Sequence, residues 1–136
     1  MKISIITPCY NAAPYIVNTI QSVQNQTISD WEMIIVDDGS TDNSVEIVTA
    51  ISQTDSRVKL IQKENGGTAS ARKLGLEVAQ GDYVQFLDAD DSITKDKLQL
   101  QIAFMEDNEL MEELFGPDPN SISNEAPKET EDELFS

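Results

Sequence analysis

Gly81-Asp82-Tyr83-Val84-Gln85-Phe86-Leu87-Asp88-Ala89-Asp90-Asp91 decides how the rest of the chain is read. Tyr83 to Leu87 is a short apolar run with one polar interruption, Gln85, and reads as a strand. It runs directly into three carboxylates within four residues. Ionised carboxylates crowded at one strand end repel each other. Such a cluster is stable where water solvates it or where a cation sits among it. Carboxylate oxygens are hard ligands and suit magnesium, manganese or calcium. Two readings follow: a divalent-metal site at the carboxyl end of a strand, or a solvated acidic loop that also caps the next helix.

The residues before this stretch repeat one pattern. Ile3 to Thr7 is a β-branched run bounded by Pro8 and reads as a strand, followed by a loop over Cys9 to Ala12. Pro14 suits a first helical turn. Ile16, Val17, Ile20 and Val23 then recur at helical spacing as far as about Gln26. Trp31 to Val36 is a nearly continuous apolar run, the mark of a parallel strand buried on both faces, and it ends in Asp37-Asp38-Gly39-Ser40. A helix is expected from Asn43, with Glu46 three residues on as a capping-box partner. Val58 to Ile61 is a third strand, and Glu64-Asn65-Gly66-Gly67 a turn. The stretch from Ala69 through Val78 is a helix that Gly81 is expected to end. Beyond the acidic cluster, Leu98, Ile102, Met105 and Leu110 mark a further helix.

Strand and helix alternate throughout, which predicts an α/β fold: an open, Rossmann-like parallel sheet with right-handed crossovers. In such sheets ligands bind outside the carboxyl ends of the strands. Here those ends carry Pro8-Cys9-Tyr10-Asn11, Asp37-Asp38-Gly39-Ser40 and Asp88-Ala89-Asp90-Asp91, so three polar groups are expected on one rim. The domain is read as residues 1–115. Residues 116–136 are polar and acidic behind Gly116-Pro117-Asp118-Pro119, and are expected to be disordered.

Composition narrows the chemistry. The 136 residues carry 9 Lys and Arg against 25 Asp and Glu, a net charge of −16. That disfavours nucleic acid and anionic membrane surfaces as partners, and it accommodates a cation held between the protein and a phosphate. Histidine is absent, which removes Ser-His-Asp and Cys-His catalysis and His-ligated zinc. Cys9 is the single cysteine, so no intrachain disulfide forms and a cytoplasmic setting is expected. No apolar stretch approaches the roughly 20 residues of a membrane span, so direct membrane insertion is not expected. Association with the inner face of a membrane would need partners.

For a nucleotide diphosphate with a cation, the rim has the required groups. Asp90 or Asp91 would hold the metal, and Asp37 or Asp38 would accept hydrogen bonds from a base or ribose. The alternative role for that pair is a turn and helix cap. Arg72 or Lys73 would bring positive charge, and Tyr10 would stack on a base or cover the sheet end. Gly66-Gly67 carries little alone, and no Walker-type sequence follows it.

Five segments, in order, resemble family 2 glycosyltransferases. They are Ser4-Ile5-Ile6-Thr7-Pro8-Cys9-Tyr10-Asn11, Ser22-Val23-Gln24-Asn25-Gln26-Thr27, Val36-Asp37-Asp38-Gly39-Ser40-Thr41-Asp42, Asn65-Gly66-Gly67 with Ala71-Arg72, and Gly81 to Asp91. The resemblance covers about residues 2–105. It implies a GT-A fold that binds a nucleotide-activated sugar, usually a UDP-sugar, and metal-assisted, inverting transfer to a saccharide or other hydroxyl acceptor. On that resemblance Pro8, Tyr10 and Asp38 line the nucleoside pocket with Asp37 beside it. Arg72 lies near base and phosphates, Asp88 touches ribose or donor sugar, and Asp90 binds magnesium or manganese. Lys73 stands where the family commonly has Asn.

The family pattern stops near Asn108, and no residue matches the family's catalytic base. The chain is therefore read as the donor-binding part of a longer enzyme, or as a non-catalytic nucleotide-sugar-binding fragment or degenerate relative. A sheet cut short there would expose apolar surface and favour self-association. Two other classes fit poorly. An aspartate-nucleophile phosphatase carries its D-x-D on the first strand, not the fourth. A phospho-receiver needs an Asp after the third strand, where this chain has Gln62-Lys63.

Overall fold

The computed structural model describes the backbone of residues 3–115 and the side chains of residues 3–107; the expected acidic tail lies outside the described residues. Four strands and four helices alternate: β1 (Ile3–Cys9), α1 (Ile16–Gln24), β2 (Trp31–Asp37), α2 (Ser44–Thr54), β3 (Val58–Gln62), α3 (Thr68–Val78), β4 (Tyr83–Phe86) and α4 (Lys97–Phe115). The sheet order is β3-β2-β1-β4 and every pairing is parallel. This is the Rossmann-like arrangement expected from the alternation.

The order explains the layers. Right-handed crossovers that step from β1 to β2 to β3 place their helices on one face, and the return step to β4 places its helix on the other. One core accordingly joins Ile3, Ile5, Met33 and Ile35 to Ile16 and Ile20 of α1, Val48 of α2, and Leu98 and Ile102 of α4. The opposite core joins Ile6, Ile34, Val36 and Val84 to Ala71 of α3. Gly75 lets α3 lie close: a Cβ there would come within 2.5 Å of Ile6 Cγ2.

The structure moves several boundaries. β1 continues through Pro8 to Cys9, where Pro8 is opposite Val36. The Ile6 carbonyl bonds the β4 side, at Leu87, while the Cys9 carbonyl bonds the β2 side, at Asp38. By alternation, Pro8 directs its missing N–H to the β4 side, past the end of that ladder, so the proline is tolerated. The capping box is not formed, because Asn43 makes no side-chain cap bond. Asp42 supplies the local acceptor instead, taking the Ser44 N–H at 2.9 Å and the Ser44 hydroxyl. Gly81 does not end α3, which stops at Val78 with Ala79 extended. It is instead a point of close approach: a Cβ there would lie 2.6 Å from Ser4 N and 2.7 Å from Ile3 C.

A buried carboxylate joins the strands near their N-terminal ends. Glu32 is 1% exposed. It accepts Lys59 Nζ at 2.8 Å, Gln80 N at 2.6 Å and the Ser4 hydroxyl, which itself accepts Gly81 N at 2.8 Å. Burial pushes the Glu32 carboxyl up, but the bonds from Lys59, Ser4 and Gln80 outweigh it and hold it below its ordinary value.

Candidate functional site

The carboxyl ends of β1, β2 and β4 meet as the topology requires. Cys9 is in register with Asp37, and Leu87 N bonds Ile6 O at 3.0 Å, so all three loops leave the same edge. A cavity of about 290 Å³ opens there, lined by Pro8, Cys9, Tyr10, Asn11, Ala12, Tyr15, Asp38, Thr68, Asp88, Ala89 and Asp90. It spans the gap between β1 and β4, where the chain reverses its direction across the sheet. That is the crevice in which open α/β sheets bind ligands.

The floor is built by the loop after β1. Asn11 takes a left-handed conformation, φ 49°, which a short amide side chain tolerates. Its Oδ1 accepts Thr41 N at 2.7 Å and Asp42 N at 3.2 Å, and its own N–H donates to Ser40 Oγ at 2.9 Å. Ala12 N donates to Ser44 Oγ and Ala13 N to Asp42 Oδ2. The loop after β1 is thereby tied to the loop after β2, leaving Tyr10, 52% exposed, projecting beside the cavity. The Cys9 thiol is buried in the lining, and burial first, then the Asp37 charge, push its pKa up to about 11. It stays protonated near neutrality and is a packing group, not a nucleophile.

The two neighbouring aspartates differ. Asp37 closes a local turn, accepting Ser40 N at 3.0 Å and the Ser40 hydroxyl. Asp38 reaches the cavity and holds its far wall. Its Oδ1 accepts Lys63 Nζ and Gly66 N, both at 2.9 Å, and its Oδ2 accepts Gly67 N at 3.0 Å. The Lys63 bond is the main cause of an Asp38 carboxyl held below its ordinary value, with the two glycine N–H groups adding to it against the cost of burial. Asn65 donates to the Asp38 carbonyl at 3.0 Å, and Gly67, at φ 98°, turns the chain into α3 so that Thr68 meets the cavity. Asn65-Gly66-Gly67 is thus a turn fastened by Asp38, behind the Asp38 and Thr68 side of the cavity.

On the opposite wall, exposure alternates. Leu87 and Ala89 are buried, while Asp88 and Asp90 are exposed and line the cavity. Asp91 turns away to a second, adjoining recess of about 260 Å³, which it shares with Arg72, Gln85, Asp88, Ser92 and Lys97. Arg72 therefore sits behind Asp88 and does not line the main cavity. Its guanidinium lies 3.5 Å from Asp88 Oδ1 and 5.2 Å from the centre of the Phe86 ring. At 3.5 Å and with both side chains more than a third exposed, that ion pair is weak, so the guanidinium is free to meet another anion.

Asp88 and Asp90 place two hard oxygen donors on one wall, and no group of three or more His, Cys, Asp or Glu converges among the described residues. Magnesium-type ions are commonly held by one or two carboxylates, with substrate phosphates and water completing the octahedron. The residues present fit such an ion shared with a phosphate ligand. They do not fit an all-protein calcium or zinc site.

Thr19 of α1 and Gln26, just past its end, hold buried polar bonds that the sequence reading did not assign. Thr19 is 1% exposed and donates its hydroxyl to the Ala89 carbonyl at 2.8 Å. Gln26 donates to the carbonyls of Ser22 and Thr94 and accepts the Leu98 N–H, fastening the start of α4. Nothing in a single sequence distinguishes a buried polar bond from a wet one.

The glycosyl transferase family 2 model matches residues 4–112, a span that contains all five segments. The chain belongs to glycosyl transferase family 2. It is 52% identical over 110 residues to an uncharacterized glycosyltransferase of Haemophilus influenzae, covering 80% of this chain and 44% of that protein. Among solved structures it resembles S. aureus TarS 1–349 in complex with UDP (TM-score 0.74, 33% identity, 80% of this chain and 33% of that one). It also resembles the mannosyltransferase PcManGT of Pyrobaculum calidifontis in complex with GDP-Man and Mn2+ (TM-score 0.72, 27% identity, 76% and 32%). The fold matches the GT-A, Rossmann-like fold of TarS. The chain spans less than half the length of these relatives. No helix among the described residues is long and apolar enough to cross a membrane.

Proposed function

We propose that this chain binds the donor of a glycosyltransferase, a nucleotide diphosphate-linked sugar, with UDP as the expected nucleotide. The observation that carries the reading is the cavity at the β1–β4 crevice, with Pro8, Tyr10 and Asp38 at one end and Asp88 and Asp90 at the other. Its two ends suit the two ends of such a donor. A flat base meets Tyr10 beside the Asp38-fastened turn, and the anionic diphosphate meets the acidic wall through a shared cation. TarS with UDP and the mannosyltransferase with GDP-Man and Mn2+ support the class of ligand.

In this reading Asp90, with Asp88, holds magnesium or manganese. The ion, when bound, supplies positive charge that stabilises the departing diphosphate. Asp88 orients the ribose or sugar by accepting hydroxyl hydrogen bonds. Arg72 leaves its loose contact with Asp88 to offset phosphate charge. Asp37, turned onto Ser40, acts from beside the pocket by holding the β2 loop. Transfer with inversion to a saccharide or other hydroxyl acceptor requires a base to take the hydroxyl proton. We assign that base to no residue of this chain, so the proposal for these residues is donor binding. Binding without transfer is the second reading, favoured by the same lack of an assigned base.

Calorimetric titration with UDP, with and without manganese, tests the proposal. Saturable binding that manganese strengthens, with that strengthening lost in Asp90→Ala, is the expected result. No UDP binding by a folded chain would overturn it.

A further inference from the structure

The acidic wall is held from behind. Ala89 lies between the two cavity-facing aspartates, with its methyl buried in the α1 core and its carbonyl on the Thr19 hydroxyl. Thr19 has a single hydroxyl proton and two carbonyls in reach, Ala89 at 2.8 Å and Tyr15 at 3.4 Å. The shorter bond takes it. Further along, the same helix end fixes the segment that follows: Gln26 bonds Thr94 and Leu98, and Thr27 N bonds Lys95 O at 2.7 Å. Between Ala89 and Thr94 the loop is mostly exposed. The Thr19 bond is thus the buried polar anchor at the end nearest the carboxylates.

A peptide carbonyl held by a buried donor cannot rotate without losing that bond. The planes of the two peptide units around Ala89 fix where Cα of Asp88 and Cα of Asp90 project. We propose that Thr19 is a positioning residue for the metal site: its hydroxyl holds the Ala89 carbonyl inward so that Asp88 and Asp90 present their oxygens together. This rests on the metal reading given above. Thr19 touches neither nucleotide nor ion, so its effect is confined to the step that needs both carboxylates in place.

The test is UDP titration of the whole chain in manganese and in chelator, for the unsubstituted protein, Thr19→Val, Thr19→Ala and Thr19→Ser. Valine keeps the β-branched shape without the hydroxyl, alanine is a strong helix former, and serine keeps the hydroxyl. In the unsubstituted chain manganese tightens UDP binding. Thr19→Val and Thr19→Ala reduce that gain by about five- to tenfold, the scale of one buried hydrogen bond, with UDP affinity in chelator unchanged. Thr19→Ser restores the gain. If Thr19→Val does not fold, Thr19→Ala carries the comparison. A full manganese gain in both hydroxyl-free variants overturns the inference and leaves the metal reading standing. An equal loss in chelator, or no recovery in Thr19→Ser, also overturns it by making Thr19 a packing residue. The absence of any manganese gain in the unsubstituted chain overturns the metal reading, and this inference with it.

Discussion

Glu32 at the N-terminal end of the sheet and the Asp88–Asp90 pair after β4 at its C-terminal end are carboxylates that the fold treats in opposite ways, whereas Asp38, also at the C-terminal end, is saturated like Glu32. At the N-terminal end Glu32 is buried and accepts hydrogen bonds from Lys59, Ser4 and Gln80. At the C-terminal end Asp88 and Asp90 face open space, with only a loose, exposed contact from Arg72 to Asp88. Three protein donors leave the first carboxylate little to offer a ligand. The second pair keeps its acceptor capacity for something that arrives. Acidity alone therefore says little about where a ligand binds. The number of donors already supplied by the protein distinguishes a strut from a site.

Substitutions should separate the two ends along this line. The largest effect is expected at Gly81→Ala, where the new methyl meets the Ser4 and Ile3 backbone, not a side chain that can move aside. A loss of about 3 kcal/mol or more in denaturant unfolding is expected. Next is Glu32→Ala, which orphans the Ser4 hydroxyl and Gln80 N–H in the interior; about 2–3 kcal/mol is expected. A loss under about 0.5 kcal/mol would mean water replaces the carboxylate, and the contrast between the ends would fail.

Acid should act on the saturated carboxylates. Glu32, Asp38, Asp42 and Asp55 all have folded-state values below their ordinary ones, 4.5 for Glu and 3.8 for Asp. A depressed value contributes stability that is complete above the ordinary value and lost as pH falls through the folded one. Melting temperature should therefore hold above about pH 5 and fall below it. In Glu32→Gln the fall should be shallower. The smallest effect on stability is expected at the open end: Asp90→Ala should change unfolding by no more than about 0.5 kcal/mol, while manganese-dependent UDP binding is lost. A strongly destabilised Asp90→Ala would place that carboxylate with Glu32, as a strut.

Much of this was legible in the residues. The β-branched runs and the alternation led to the parallel sheet, and the parallel sheet placed Tyr10, Asp38 and Asp88 on one edge without any contact being known. The Glu32 network was not legible, because a glutamate within Trp31 to Val36 looks like a polar interruption, and its donors come from residues 4, 59 and 80. The bonds of Thr19 to Ala89 and of Gln26 to Thr94 were not foreseen for the same reason: those acceptors lie about 70 residues away. Gly81 was read as a helix stop because that is the commonest local use of glycine near a helix end, whereas its use here is set by the strand beside it. Local chemistry is visible along a chain. The partners of buried polar groups are visible only after the chain has folded.

The sheet order has a consequence for the order of events during synthesis. β1 is made first yet lies between β2 and β4, and its β4 side is completed only once residues 83–86 exist. Until then, one side of the first strand waits more than seventy residues for its partner. A chain still lacking Gln80 and Gly81 would also lack two donors of the Ser4–Glu32 network, so closure of β4 onto β1 completes that pairing and satisfies the interior charge in one event. Pairings so distant in sequence are slow to find. A nascent chain stopped short of β4 would present β1 as an open edge, and β4 would be the last of the four described strands to form.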